Sequence, residues 1–269
     1  MSSDTSSPAF GQVLRYLEDE LDFESGMYND AYLDRRITAR MRRVGTEDYD
    51  RYLSVLRDDE AEQAALRESL SINVTEFFRN EEVWAELRPV LRHLASEGRV
   101  DAWSAPCSDG REPYSLSMLA MDDRRIDADE VSIRGTDIDR DALGRARRGV
   151  YDASATVDIA DELSPLSDYE SYVDRDEDRF TVREPVRERV RFEHHDLIRD
   201  EPKSEFDLVM CRNLLIYIDS AYEQTVVETV LDSLRPGGVL VIGTTETLPR
   251  SCRDGVETVA GRHRIYRKQ

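Results

Sequence analysis

The 269-residue sequence is short of lysine, cysteine and long apolar runs. Lys203 and Lys268 are the only lysines, so arginine carries nearly all of the 37 basic charges. Three cysteines, Cys107, Cys211 and Cys252, stand far apart with no CxxC pair. That excludes a disulfide framework and a cysteine-rich zinc site, and it fits a reducing cytoplasm. No stretch of about 18 apolar residues is present, which excludes a membrane-spanning helix. The polar start MSSDTSSPAF has no basic and apolar leader pattern, so no secretory signal is expected there. GxGxxG is also missing, and with it the usual cradle for a dinucleotide pyrophosphate. Positive charge is in deficit: 57 acidic residues against 37 basic ones give a net charge of −20. Such a surface disfavours nucleic acid phosphates and anionic lipid. It suits a halophilic protein, kept soluble at high salt where acidic repulsion is screened, against the plainer reading of an ordinary acidic protein from a GC-rich genome, which also favours Arg over Lys.

Hydrophobic residues make up 39% of the chain, enough for one sizeable core and a smaller one. Residues 1–95 read as an all-helical domain. In NDAYLDRRITARMRRVG, Asn29 or Asp30 caps a helix that Gly45 stops, with Leu33, Ile37, Met41 and Val44 on one face. Thr46 reads as the cap of the next helix, a third runs from about Glu60 to Leu70, and a fourth follows Asn80. From residue 96 to 269 short apolar runs alternate with helical stretches, which predicts an α/β domain with a parallel, doubly wound sheet. Residues 151–192 interrupt it with a polar, turn-rich insert suited to a small antiparallel β-subdomain.

In such sheets ligands bind beyond the carboxyl ends of the strands. Strand RVDAWSA leads into APCSDGREP, where Glu112 would repel a phosphate and welcome a cation. The next strand ends in Asp137, an acid placed to accept ribose hydroxyls. A cation with a ribose and no phosphate describes S-adenosylmethionine. The spacing also allows plainer roles, Glu112 as a helix-dipole partner and Asp137 as an N-cap.

The stretches INVTEFFRN, WSAPCSDGREPYSLSM, GTDIDRDALGRARRGVY, FDLVMCRNLLIYID and LRPGGVLVIGTTETL, in this order, resemble the chemotaxis receptor methyltransferases of the CheR family. The resemblance implies an N-terminal helical domain, a class I S-adenosylmethionine-dependent methyltransferase sheet (Rossmann-like) and an inserted β-subdomain. It implies methyl transfer from S-adenosyl-L-methionine to glutamate carboxylates of methyl-accepting chemoreceptors, leaving S-adenosyl-L-homocysteine. By the same resemblance Asn73, Thr75, Arg79, Glu112, Asp137, Asp196, Leu197, Arg212 and Asn213 bind the cofactor, while Arg79 and Tyr217 serve catalysis. Phe77 and Phe78 are expected in the core. Two departures stand out: Asp196-Leu197 replaces the family's common Asn-Leu, and Pro106 and Arg111 modify the Gly-Cys-Ser-Glu type loop. The implied partner is the receptor's cytoplasmic helical bundle, which would recruit a cytoplasmic enzyme to membrane receptor arrays without membrane insertion.

Weaker signals remain. His194-His195-Asp196 lacks a third ligand at a defined spacing, so no metal is expected. Cys211 reads as a buried strand cysteine. Arg36, Arg40 and Arg43 follow at i, i+4 and i+7 and form an arginine stripe proposed to dock the acidic receptor bundle, against the plainer reading of pairing with nearby acids. A nucleic acid methyltransferase is disfavoured by the net charge and by the missing Asn/Asp-Pro-Pro-aromatic motif. A non-catalytic binding module is disfavoured by the joint retention of Arg79, Glu112, Asp137 and Tyr217.

Overall fold

The computed structural model describes residues 7–21, 23–70 and 75–269. The chain divides into two compact units, residues 1–72 with Leu215–Glu223, and Asn73–Leu214 with Gln224–Gln269.

The first unit is helical: α1 (Pro8–Leu21), α2 (Asp30–Arg43), α3 (Tyr49–Asp58) and α4 (Glu60–Leu70). Helix α1, which the sequence reading passed over, buries Phe10, Val13, Leu17 and Leu21 along one stripe. Asn29 caps α2 by accepting the Tyr32 N–H at 2.7 Å. Leu33, Ile37 and Met41 are then buried against Tyr52, Leu56, Leu66 and Leu70. Each such side chain contributes about 1.5–3 kcal/mol of hydrophobic burial. Thr46 is not the cap of α3. Its hydroxyl accepts the Asp48 N–H, and Asp48 caps the helix by accepting from Arg51. Segment 215–223 joins this unit through Asn29 N–H to Tyr217 O (2.9 Å) and Asp219 N–H to Met27 O (2.9 Å).

The second unit begins before, not after, the fourth predicted helix. Helix α5 (Glu81–Glu97) buries Val83, Trp84, Leu87, Leu91 and Leu94 in one core with the central sheet. The expected boundary at residue 95 therefore moves to 72/73. Periodicity had shown an apolar stripe without showing which core it faces.

Then follow β1 (Val100–Ser104), α6 (Arg111–Asp122), β2 (Val131–Asp137), α7 (Arg140–Arg148), β3 (Val150–Asp152), α8 (Ile159–Glu162), β4 (Val173–Asp176), β5 (Arg179–Val182), α9 (Glu184–Arg187), β6 (Val190–His194), β7 (Phe206–Cys211), α10 (Ser220–Asp232), β8 (Leu234–Ile242), β9 (Val256–Ala260) and β10 (Ile265–Lys268). The main sheet has the order β6-β2-β1-β7-β8-β10-β9. Strands β6 to β8 are mutually parallel, while β10 pairs antiparallel with both β8 and β9. The sheet is thus mixed, with an antiparallel C-terminal strand, where a parallel one was expected. A helical unit followed by a doubly wound sheet that carries a small inserted antiparallel sheet is the architecture that the resemblance implied. Strand β9 was missed because VETVA is largely exposed at the sheet edge and lacks a clean alternation.

The insert is a three-stranded antiparallel sheet, β3-β5-β4. It ends before residue 190, because β6 belongs to the main sheet. Among the described residues no helix is long and apolar enough to cross a membrane.

Candidate functional site

The parallel strands of the second unit all end on one edge. There the chain is bent repeatedly into the left-handed region: Phe78 (φ 49°), Asn80 (φ 60°), Ser108 (φ 48°) and Asn213 (φ 59°). Asparagine tolerates this conformation. For Phe and Ser it costs about 1–3 kcal/mol each, a cost that clusters at binding sites.

Glu112 sits in the first turn of α6. Helix α6 begins at Arg111, so Pro113 is its third residue, within the turn whose N–H groups have no helical partner. Gly110, at φ 92°, makes the preceding turn; a Cβ there would lie 2.8 Å from Ala146 Cβ. Glu112 Oε1 accepts from Ser104 Oγ at 2.8 Å and Oε2 from Arg212 Nη1 at 3.1 Å. Arg212 is buried at the end of β7. Its Nη2 also donates to Arg79 O (2.8 Å) and Asn80 Oδ1 (3.0 Å), and its guanidinium lies 5.9 Å from the Trp84 ring centroid. Burial pushes the Glu112 carboxyl up, against the opposing pull of Arg212. Arg79 is half-buried, and its charge also acts on Glu112.

Asp137 ends β2 and is buried. Oδ2 accepts the Ser108 N–H and Oδ1 the Asp139 N–H, both at 2.8 Å. Burial raises its pKa to about 6, although these N–H groups pull the other way. Asp137 is no N-cap; Asp139 caps α7. At the end of β6, Asp196 Oδ1 accepts the N–H groups of Ile198 (2.8 Å) and Arg199 (3.2 Å), which folds the loop so that Leu197 is buried. Here Asp does the work of a turn-forming acceptor, a role that needs no amide hydrogen.

Asn213 follows Arg212. Its N–H donates to Glu246 Oε2 at 3.0 Å, and the Gly243 N–H donates to the same oxygen at 2.6 Å. A Cβ on Gly243 would fall 2.6 Å from that carboxylate oxygen, so only glycine fits. Glu246 thus fixes the ends of β7 and β8, and sequence reasoning missed it although it lies in the TTETL stretch. Ser104 and Ser108 were missed as well; the Ser108 contact is made by backbone and leaves no mark in sequence.

Thr75 accepts from Arg111 through its carbonyl, Arg111 Nη1 to Thr75 O at 3.0 Å. Asn73 lies outside the described residues. Phe77 and Phe78 are buried in the core, as expected, packed edge-on to Tyr151 and Trp84. Cys107 and Cys211 are buried with their thiols pushed well up, so both are poor nucleophiles. His195 is buried, edge-on to Trp103, with Nδ1 3.3 Å from Asp200. Among the described residues no group of three His, Cys, Asp or Glu is arranged to hold a metal.

Tyr217 and the arginine stripe belong to the helical unit. Tyr217 is half-buried, with its ring centroid 4.8 Å from that of Tyr32. The stripe is not a free face. Arg40 forms an ion pair with buried Glu62, Nε to Oε1 at 3.1 Å, and Glu62 also accepts from Tyr52. Arg36 is half-buried, its guanidinium 5.4 Å from the Tyr32 ring centroid. Of the three, only Arg43 is exposed. The expectation that Arg40 docks a partner is therefore corrected: a charge in the core needs an opposite one, and Arg40 supplies it.

The site combines Glu112, mostly buried beyond β1, and Asp137, buried at the end of β2, with Asp196 after β6. Residues 73–265 match the CheR methyltransferase SAM-binding domain, and residues 8–71 match the CheR all-alpha domain. The chain belongs to the CheR methyltransferase family. A chemotaxis protein methyltransferase of Listeria monocytogenes is 31% identical over 248 residues, covering 91% of this chain and 92% of that protein. Chemotaxis protein methyltransferase 2 of Vibrio cholerae is 30% identical and covers 81% and 78%. The chemotaxis protein methyltransferase of Salmonella typhimurium is 31% identical and covers 81% and 76%. The family's two domain boundaries, at 71 and 73, coincide with the division between the two structural units.

Proposed function

We propose that this CheR-family methyltransferase transfers a methyl group from S-adenosylmethionine to glutamate side chains of chemoreceptors, forming methyl esters. The observation that carries the reading is the pair Glu112 and Asp137. Asp137 is buried at the end of β2, Glu112 is mostly buried in the first turn of α6 just beyond β1, and burial raises both carboxyls. A cationic ligand bearing a diol would satisfy them: Asp137 through ribose hydroxyls, Glu112 through the positive end. Asp196 and Leu197 would hold the adenine, with Asn213 and Arg212 shaping the floor. Thr75 and Arg79 complete this set, as does Asn73 by its place in the motif.

The donor supplies an already activated methyl on a sulfonium. The protein needs no general base, since a glutamate side chain with an ordinary pKa of about 4.3 is ionised at neutral pH. Its task is to orient the acceptor carboxylate and exclude water. Arg79 and Tyr217 are assigned to that orientation, by hydrogen bonds rather than by full neutralisation, which would quench the nucleophile. Arg43 remains the stripe's candidate for contact with an acidic receptor bundle.

The test is transfer of radiolabelled methyl to receptor-bearing membranes. Label that alkali releases as methanol identifies a carboxyl ester. Alkali-stable label, or label on nucleic acid, overturns the reading. Cofactor binding with no transfer to any protein would make the chain a binding module.

A further inference from the structure

The segment carrying Thr75 and Arg79 contains no regular secondary structure. Something else must hold it, and the contacts converge on two side chains to which no role has been assigned. Arg111 is the first residue of α6, beside Glu112. Its Nη1 donates to Thr75 O at 3.0 Å, and its guanidinium lies 5.9 Å from the Phe77 ring centroid and 5.1 Å from that of Tyr151. It is ion-paired with Asp109 (3.4 Å) and Glu162 (3.6 Å). Glu162 ends α8, inside the insert between β2 and β6. Its Oε2 accepts the Phe77 N–H at 2.9 Å. Tyr151, in the insert's first strand, donates its hydroxyl to Asp109 O at 2.7 Å.

We infer that Arg111 and Glu162 act as a pair of positioning residues, through which the inserted subdomain holds the Thr75–Arg79 segment in its cofactor-binding shape. The two side chains are mostly buried, at 14% and 12% exposure, so the pair is shielded from solvent screening. They reach the segment from different directions: one takes the Thr75 carbonyl, the other the Phe77 amide. The next residue, Phe78, is held at φ 49°, a conformation that persists only where the surroundings enforce it. Neither Arg111 nor Glu162 touches reacting atoms in this assignment. They act through Thr75 and Arg79. The inference rests on the cofactor reading given under Proposed function.

The experiment compares wild type with Arg111→Met, Glu162→Gln and the double variant. S-adenosylhomocysteine affinity is measured by calorimetry, together with tryptophan emission. Trp84 is a built-in reporter, because its indole N–H donates to Arg79 O at 3.1 Å and its ring packs on Phe78. Each single variant is expected to weaken binding about 5- to 30-fold and to shift Trp84 emission to the red. The double variant should be no worse than the weaker single, since partners in one network are not additive. Saturating ligand should restore the wild-type emission in the variants, which a globally misfolded protein would not show. Wild-type affinity and emission in both single variants, or strictly additive losses in the double, overturns the inference. Absence of binding in the wild-type protein would sink the cofactor reading instead, so the two failures are distinct.

Discussion

If Asp137 accepts the ribose hydroxyls, only its ionised form binds well, and the structure sets the pH at which binding fails. Its carboxyl pKa is raised from 3.8 to about 6. Protonation in the free protein then reduces apparent affinity by the ionised fraction. From pH 7 to pH 5 the dissociation constant of S-adenosylhomocysteine should rise about tenfold, or about 1.4 kcal/mol. Binding at pH 5 should release close to one proton, and at pH 6 about half of one. Calorimetry in two buffers of different ionisation enthalpy reads both quantities. The same shift has a sign for folding. A carboxyl whose folded pKa is raised contributes stability below its unfolded value near 4 and loses it as pH rises through 6. Ionised Asp137 therefore costs the ligand-free fold about 3 kcal/mol at neutral pH. Ligand hydroxyls would offset that cost. Glu112 is a second buried carboxyl in the site, so the Asp137→Asn variant is the control: its binding should be weaker at pH 7 and much flatter down to pH 5. A flat wild-type curve, or an undiminished slope in the Asn variant, would refute the assignment.

Tyr217→Phe should lower turnover on receptor more than it changes cofactor affinity; methylation at the wild-type rate with saturating donor makes Tyr217 structural only. Arg40→Ala strands buried Glu62 and should destabilise the protein by about 3–5 kcal/mol in chemical denaturation, whereas Arg43→Ala should leave stability unchanged. If Arg40→Ala is neutral, the ion pair contributes nothing to the fold. Salt should raise the melting temperature from low to molar concentration, because the net charge of −20 is self-repulsive and screening relieves it. A flat melting temperature would remove the high-salt reading.

Some of this was legible in the sequence for local reasons. Strand β7, FDLVMC, is buried at every position and reads as a strand from its apolar residues on either side of Asp207. The placement of Glu112 just beyond β1 and of Asp137 at the end of β2 was legible because it follows from topology alone. What was not legible depends on contacts between distant residues. Arg40 and Glu62 are 22 positions apart, and nothing in either helix announces the pairing. Asn213 and Glu246 meet across two strand ends, 33 positions apart. Arg111 was visible as a departure from the family pattern, but its three-way contact with Thr75, Asp109 and Glu162 needs the folded insert. Helix α5 shows the same limit at a larger scale: an amphipathic stripe names a buried face, not the core that covers it.

If Glu112 faces the sulfonium as proposed, its pairing with Arg212 bears on rate as well as on binding. Methyl transfer from a sulfonium to a carboxylate removes two opposite charges, so the transition state is less polar than the reactants. A site that stabilised the sulfonium with an unopposed carboxylate would favour the ground state and slow the reaction. Here the Glu112 charge is already shared with a guanidinium that is itself buried and bonded to two further acceptors. Arginine suits this arrangement better than lysine, because its planar fork reaches Glu112, the Arg79 carbonyl and Asn80 at once while its charge stays fixed. The acidic edge can then attract a cation without holding it too tightly for the reaction.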